Sequence, residues 1–439
     1  MTDAAPRKLG RWMSLAMVVG SMIGTGVYLL PTTLAPFGQN IIVAFAVTIG
    51  GTMCLALSLA LLASRIPGGP FAYVEQAFGE NTAFLTLWSY MVSQWTGVAA
   101  VAVAIAGGLS YVFPWTGKGI GLIVVALGSI LALALVIVRG VRSAGGLQIA
   151  TTLIKIIPLL AVLFLVIGRF ASGAPTQPLA AVPMSVSGIA AAAALMLFSL
   201  TGFEAAAVVA PITDNSEKNV PLATLAGTAF TGAIYFTATV SALMLLSSAV
   251  AAKSGAPFAD AIAPILGSVA GAVVAAIAAV SAFGTANSLL LFAAEIGRTL
   301  AVADDLPRFF RRSNAAGAPV GSLCFAAIMA ALLVLASSSD SFVSVYIFIT
   351  LVSTVAALVL YVVCAAAALK LKVGGKWVPI VVVGLVYGVA MFAGAGLEPT
   401  LWGFGLAAAG LPIRALSRRF NSRAATSPAA APAQAAPRE

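Results

Sequence analysis

The residues able to do chemistry in this 439-residue chain gather at three interruptions of otherwise apolar runs. Gly20-Ser21-Met22-Ile23-Gly24-Thr25-Gly26 breaks one run, Phe198-Ser199-Leu200-Thr201-Gly202-Phe203-Glu204 breaks another, and Lys155 stands inside a third, in TTLIKIIP over 151–158. Glycine weakens a helix, and backbone groups freed in hydrocarbon cost several kcal/mol each. The first interruption therefore admits two readings. Small residues four apart, here Gly20 and Gly24, let membrane helices pack closely; alternatively the helix breaks and its freed amides and carbonyls bind a ligand. In a broken helix, the half that begins at the break has an N-terminal dipole suited to a carboxylate, a role that fits Thr25 and Gly26. The half that ends there leaves carbonyls for an ammonium, which Met22, Ile23, Phe198 and Thr201 are placed to offer or flank. With Gly24 and Gly202 completing the two segments, the poles match the zwitterionic head common to all amino acids.

Each ionisable side chain within a span costs at least ~2.5 kcal/mol at the bilayer centre, so each needs a reason. Glu204 directly follows its break and is suited to bond freed backbone, hold a proton or lock one conformation. Lys155 lies too deep among apolar neighbours to snorkel, and a desolvated ammonium is a candidate for proton exchange. Polar candidates for the far end of a ligand pocket are Ser93, Gln94, Asn287, Thr350 and Ser353, each of which fits helix packing equally well.

The elements that must position these groups follow from composition. With 61% hydrophobic and 8% charged residues, the chain suits a bilayer and not water. Runs of about 20 apolar residues, long enough to span, occur at 12–36, 41–64, 83–113, 119–138, 146–168, 187–212, 222–249, 267–301, 318–337, 342–369, 377–396 and 399–416. The expectation is an all-α membrane protein of twelve spans. The first run lacks a cleavage site and reads as a span, not a signal peptide. If the N-terminus is cytoplasmic, 19 of the 23 Lys and Arg fall in inner segments and only Lys118, Arg169 and Lys253 in outer loops, with Lys155 in a span. That division predicts both termini in the cytoplasm, and it assigns the net charge of +10 to membrane topology and anionic headgroups instead of nucleic acid.

Cys54, Cys324 and Cys364 all fall in apolar runs and imply no disulfide framework. The absence of His and of clustered acidic residues gives no reason to expect a metal site or cofactor. No nucleophile stands beside a base, so enzyme chemistry is not expected. The Ala/Pro tract after Arg423 is too poor in large apolar groups to pack.

Transporters commonly consist of two inverted halves, each contributing a discontinuous helix to a central site. The second interruption falls in span 6, where an inverted repeat of five spans would begin again. A weaker echo joins Gly68-Gly69-Pro70-Phe71-Ala72 to Gly255-Ala256-Pro257-Phe258-Ala259, expected on opposite sides of the membrane.

Four stretches, VVGSMIGTGVYLLP (18–31), SRIPGGPFAYVEQAFG (64–79), LFSLTGFEAAAVVAPITDNSEKNVPLAT (197–224) and RTLAVADDLPRFFRRSNAAGAPV (298–320), give the chain a resemblance along nearly its whole length. It resembles the amino acid, polyamine and organocation transporter superfamily, in particular the basic amino acid and polyamine antiporters of bacteria typified by arginine-agmatine exchange. The resemblance implies a LeuT-like fold: a cytoplasmic N-terminus (1–11), inverted five-span repeats at 12–171 and 185–372, two appended spans at 376–418, and a disordered cytoplasmic tail (419–439). It also implies a plasma (inner) membrane location and carries head-group roles to Met22, Thr25, Gly26, Phe198 and Thr201.

The sequence departs from the arginine-agmatine pattern at the side-chain end. Leu289 stands where an aromatic would stack on a guanidinium, with Asn287 and Ser288 beside it; Val98 replaces an asparagine; Phe198 replaces the gating tryptophan. A cation-π contact is thereby lost. Lys155 is similar in position to an ammonium that replaces a coupling sodium ion in proton-coupled members. The sequence points to a secondary active, proton-coupled amino acid transporter working by alternating access; the alternative is exchange of a basic amino acid for its amine. A homodimer is a candidate assembly. A transport-inactive sensor and a channel fit less well, because both breaks are intact and no ring of charges marks a pore.

Overall fold

A computed structural model of the protein describes residues 10–139, 154–208, 210, 213–336 and 342–425. Residues 1–9, 140–153 (with the start of span 5), 209 and 211–212 (at the end of span 6), 337–341 and the tail from 426 lie outside the described residues.

The described chain is helical, and its helices fall on the apolar runs. In order they are α1 (Arg11–Met22), α2 (Gly26–Leu34), α3 (Asn40–Arg65), α4 (Gly69–Phe78), α5 (Glu80–Leu109), α6 (Gly119–Val138), α7 (Ile156–Ser172), α8 (Val186–Leu200) and α9 (Ala205–Val208). The second part holds α10 (Ser216–Leu245), α11 (Pro257–Leu266), α12 (Ser268–Val302), α13 (Val320–Ala336), α14 (Phe342–Lys370), α15 (Val378–Ala395), α16 (Leu397–Ala408) and α17 (Gly410–Ala425). Among the described residues, seven helices are long and apolar enough to cross a membrane, and an eighth span results if α1 and α2, bent by 49° at their break, are counted together. The chain is a multi-pass membrane protein.

α5 forms the centre. Nearly every residue from Ala83 to Gly108 is buried, because small residues such as Gly97, Ala99, Ala100 and Gly107 let α12 and α14 approach it from two sides. A second group surrounds α3, which packs on α8, α10 and α15. The sequence echo has a structural counterpart. α4 and α11 are both ten residues long; each ends at a glycine in the left-handed region, Gly79 (φ 86°) and Gly267 (φ 92°), and each leads into a long helix, α5 or α12.

One boundary differs from the sequence expectation. The tail expected from 419 begins inside α17, which continues to Ala425. Contacts remote in sequence hold this helix: Arg414 bonds Asp305 at 2.6 Å, Asn81 at 2.5 Å and Glu80 at 2.9 Å, and Arg418 bonds Asp305 at 2.8 Å and also Glu80.

Candidate substrate site at the paired helix breaks

The first interruption is a break and not a continuous packing seam. α1 ends at Met22, Ile23 turns extended (φ −69°, ψ 94°), and α2 starts at Gly26. The freed groups find partners on two other helices. Tyr235 of α10 donates its hydroxyl to the Met22 carbonyl at 2.6 Å and accepts from the Gly24 amide at 3.3 Å. The Thr25 amide donates to the Thr285 hydroxyl of α12 at 3.1 Å. Thr25 Oγ1 is buried and has no hydrogen-bond partner. Thr25 lines a small, partly open pocket whose walls are otherwise mostly apolar, from Tyr28, Leu29, Ala104, Phe258 and Ala278 among others. A buried hydroxyl left unpaired is costly unless a ligand satisfies it.

The second interruption is also a break. α8 ends at Leu200, Thr201 is extended (φ −63°, ψ 155°), and its hydroxyl folds back onto the Phe198 carbonyl at 2.7 Å. Gly202 then turns left-handed at φ 108°. Glu204 gathers the loosened chain: Oε2 accepts from the Gly202 amide at 3.0 Å, Oε1 accepts from Tyr90 of α5 at 2.6 Å, and the Tyr361 hydroxyl of α14 lies 3.4 Å from both oxygens.

The two breaks touch. A Cβ on Gly202 would stand 2.7 Å from the Ser21 carbonyl oxygen, and a Cβ on Gly26 would stand 2.8 Å from Ser199 Cα and collide with Ser199 Oγ. Only glycine permits that approach. Met22, Ile23, Gly24, Thr25, Gly26, Phe198, Thr201 and Gly202 thus form one neighbourhood where α1, α2 and α8 meet.

The far-end candidates converge on α5. Ser353 donates to the Ser93 carbonyl at 2.7 Å, Ser93 donates to the Tyr90 carbonyl at 2.8 Å, and Gln94 Nε2 donates to Ser93 Oγ at 3.2 Å. Asn287 and Thr350 are buried on α12 and α14. Lys155 is 1% exposed and stands directly before the first residue of α7; its carbonyl accepts from the Tyr28 hydroxyl at 2.5 Å, which ties it to α2 beyond the first break.

Sequence reasoning missed four of these residues: Tyr90, Tyr235, Thr285 and Tyr361. A phenol inside an apolar run needs a partner when buried, and that rule, applied to Tyr235 and Tyr361 as it was to Glu204, points to them.

The conserved-family model described as amino acid permease matches residues 9–393. The chain is 29% identical over 347 residues to the cadaverine/lysine antiporter of Escherichia coli K12, covering 77% of each chain. It is 28% identical over 406 residues, 84% of this chain and 86% of the other, to a Bacillus subtilis protein provisionally named for arginine/ornithine antiport. It is 26% identical over 419 residues, 92% and 94% of the two chains, to the putrescine transporter of E. coli K12.

Proposed function

This chain belongs to the amino acid permease family, and on that premise we propose that it is a secondary active transporter that exchanges amino acids or related amines across the membrane by alternating access. The observation that carries the reading is the pair of broken helices in contact, with the unpartnered Thr25 hydroxyl of the first break on a residue that lines a pocket walled by α2, α5, α11 and α12. The first-turn amides of α2, with no capping side chain over them, receive the substrate carboxylate, and the carbonyls ending α1 and α8 receive its ammonium. Met22 keeps one lone pair for that purpose beside its bond to Tyr235.

Twelve spans in two inverted repeats of five, with α15 and the helix formed by α16 and α17 appended, account for the paired breaks and for the matching α4 and α11. The Lys and Arg distribution supports cytoplasmic termini, and the bacterial relatives support an inner-membrane location. Burial is asymmetric across the first break. All nine residues of α2 are buried, against Ser14, Val18 and Met22 alone in the twelve of α1. Thr32 of α2 also donates to the Ser254 carbonyl at 2.8 Å, fastening α2 to the loop before α11. This asymmetry supports a conformation closed at the outer face and open along α1, toward the cytoplasm.

The relatives named as antiporters favour exchange. Proton coupling is the second reading, and one observation favours it: the buried side chain of Lys155, a residue whose carbonyl is bonded by Tyr28 of α2. Purified protein in liposomes separates the two. Exchange requires internal solute, so uptake into solute-loaded vesicles should far exceed uptake into empty ones at equal pH. Equal accumulation in empty vesicles driven by an inward proton gradient would overturn exchange in favour of symport.

A further inference from the structure

We infer that Asp260 is a positioning residue for the outer closure: through Ser254 it holds the turn before α11 against Thr32 of α2, and loss of that hold shifts the protein toward a conformation open at the outer face. The inference rests on the alternating-access reading above and assigns the residue that sets one side of it.

Ser254 is the hub of the contact. Its carbonyl accepts from Thr32 Oγ1 at 2.8 Å, and its hydroxyl accepts from the Ala256 amide at 3.0 Å while donating to Asp260 Oδ2 at 2.5 Å. Ser254 is 7% exposed and Thr32 2%, so water competes little for these bonds. A hydroxyl has one proton to give. Asp260 takes it, which orients Ser254 and with it the turn that presents the carbonyl to Thr32. That turn is wedged between α2 and α5: a Cβ on Gly255 would lie 2.5 Å from the Gly107 carbonyl oxygen of α5. Phe258 then meets Tyr28 of α2 edge to face, with ring centroids 5.5 Å apart. Residues 255–259 wall the same pocket that Thr25, Tyr28 and Leu29 line.

Building α11 does not require the Ser254 and Asp260 pair. α4 shares the ten-residue length of α11 and its Gly-x-Pro-Phe-Ala start, yet Pro67 and Tyr73 stand where α11 has Ser254 and Asp260. Nor does Asp260 cap α11, whose N-cap residue Ala256 makes no side-chain hydrogen bond. The pair thus belongs to the copy assigned to the outer face, where α2 is buried throughout. The copy assigned to the inner face, where most of α1 is not buried, lacks it.

The test is labelling by a membrane-impermeant maleimide of right-side-out vesicles holding the full-length chain, with Cys54, Cys324 and Cys364 replaced by alanine and one cysteine introduced. Ala104→Cys reports on the pocket, and Val92→Cys, buried on α5 outside that pocket, reports on loosening of the fold. Asp260→Ala and Thr32→Val should each speed labelling at position 104 roughly fivefold or more, the population shift carried by one hydrogen bond, without speeding it at position 92. Asp260→Asn keeps an acceptor oxygen for Ser254 and should restore the slow rate. Unchanged labelling at position 104 in Asp260→Ala, equal acceleration at position 92, or no recovery in Asp260→Asn would each overturn the inference. Labelling needs no substrate, so its failure is distinct from a failure of exchange in liposomes, which tests the transport reading.

Discussion

Tyr235 closes the first break by bonding Met22: its hydroxyl donates to the Met22 carbonyl at 2.6 Å and, through the same oxygen, accepts from the Gly24 amide at 3.3 Å. One phenol on α10 thus satisfies two backbone groups that the end of α1 leaves behind. Tyr235 is fully buried, so no water replaces it. Tyr235→Phe keeps the ring and removes both bonds. The expected cost is about 1–3 kcal/mol, the penalty of unpaired buried backbone groups, read as a lower melting temperature in detergent together with weaker substrate binding. Wild-type stability and binding in this variant would show that the break is held by packing alone.

Glu204 performs the corresponding service at the second break, and its carboxylate is matched to three donors. Glu204→Gln keeps the shape but turns one acceptor oxygen into a donor, which then faces the Gly202 amide or a phenol. Exchange should fall by about tenfold or more, equivalent to about 1.4 kcal/mol of lost stabilisation of the working conformation. Tyr90→Phe removes the shortest of the three bonds and should produce a smaller loss of the same kind. Unaltered exchange in Glu204→Gln would reduce the carboxylate to a filler of the break.

Both breaks were legible in the sequence because glycine and hydroxyl residues inside an apolar run contradict the composition around them. Their partners were not. Tyr235 sits in AIYFTATV and Thr285 in AFGTANSL, where one polar residue per turn looks like an ordinary span; their value comes from helices more than 200 residues away in the chain. The same limit explains α17. Residues 419–425 read as a polar tail, and only the fold brings Glu80 and Asp305 under Arg414 and Arg418 to extend the helix through them. Gly202 and Gly26 were legible as interruptions, whereas their contact with Ser21 and Ser199 required the third dimension.

Lys155 separates exchange from proton-coupled transport. Its side chain is buried while its carbonyl is fixed by Tyr28, so its position is set relative to α2. If the ammonium takes part in coupling, Lys155→Ala flattens the pH dependence of transport between acid and neutral buffer while leaving substrate binding, followed by thermal shift, in place. A pH profile in Lys155→Ala that superimposes on the wild type would remove this residue from the mechanism.

Asp305 provides a stability test at the opposite end of the molecule, outside the spans. Burial raises its carboxyl above the ordinary carboxylate range, and the hydrogen bond and charge of Arg414 oppose that rise. An acid held higher in the fold than in the unfolded chain is disfavoured when ionised. This penalty is complete above the folded value and vanishes below the unfolded one, so it is relieved as pH falls through the window between them. Asp305→Asn abolishes the proton uptake, and the wild type should therefore gain melting temperature relative to this variant as the buffer is taken from neutral toward about pH 4, the ordinary carboxylate value. Arg414→Ala behaves differently: it leaves Asp305 with only the half-exposed Arg418 and should cost about 3–5 kcal/mol at neutral pH. A wild-type to Asp305→Asn difference that stays constant across this range would mean that Asp305 remains ionised throughout, with its arginines outweighing its burial.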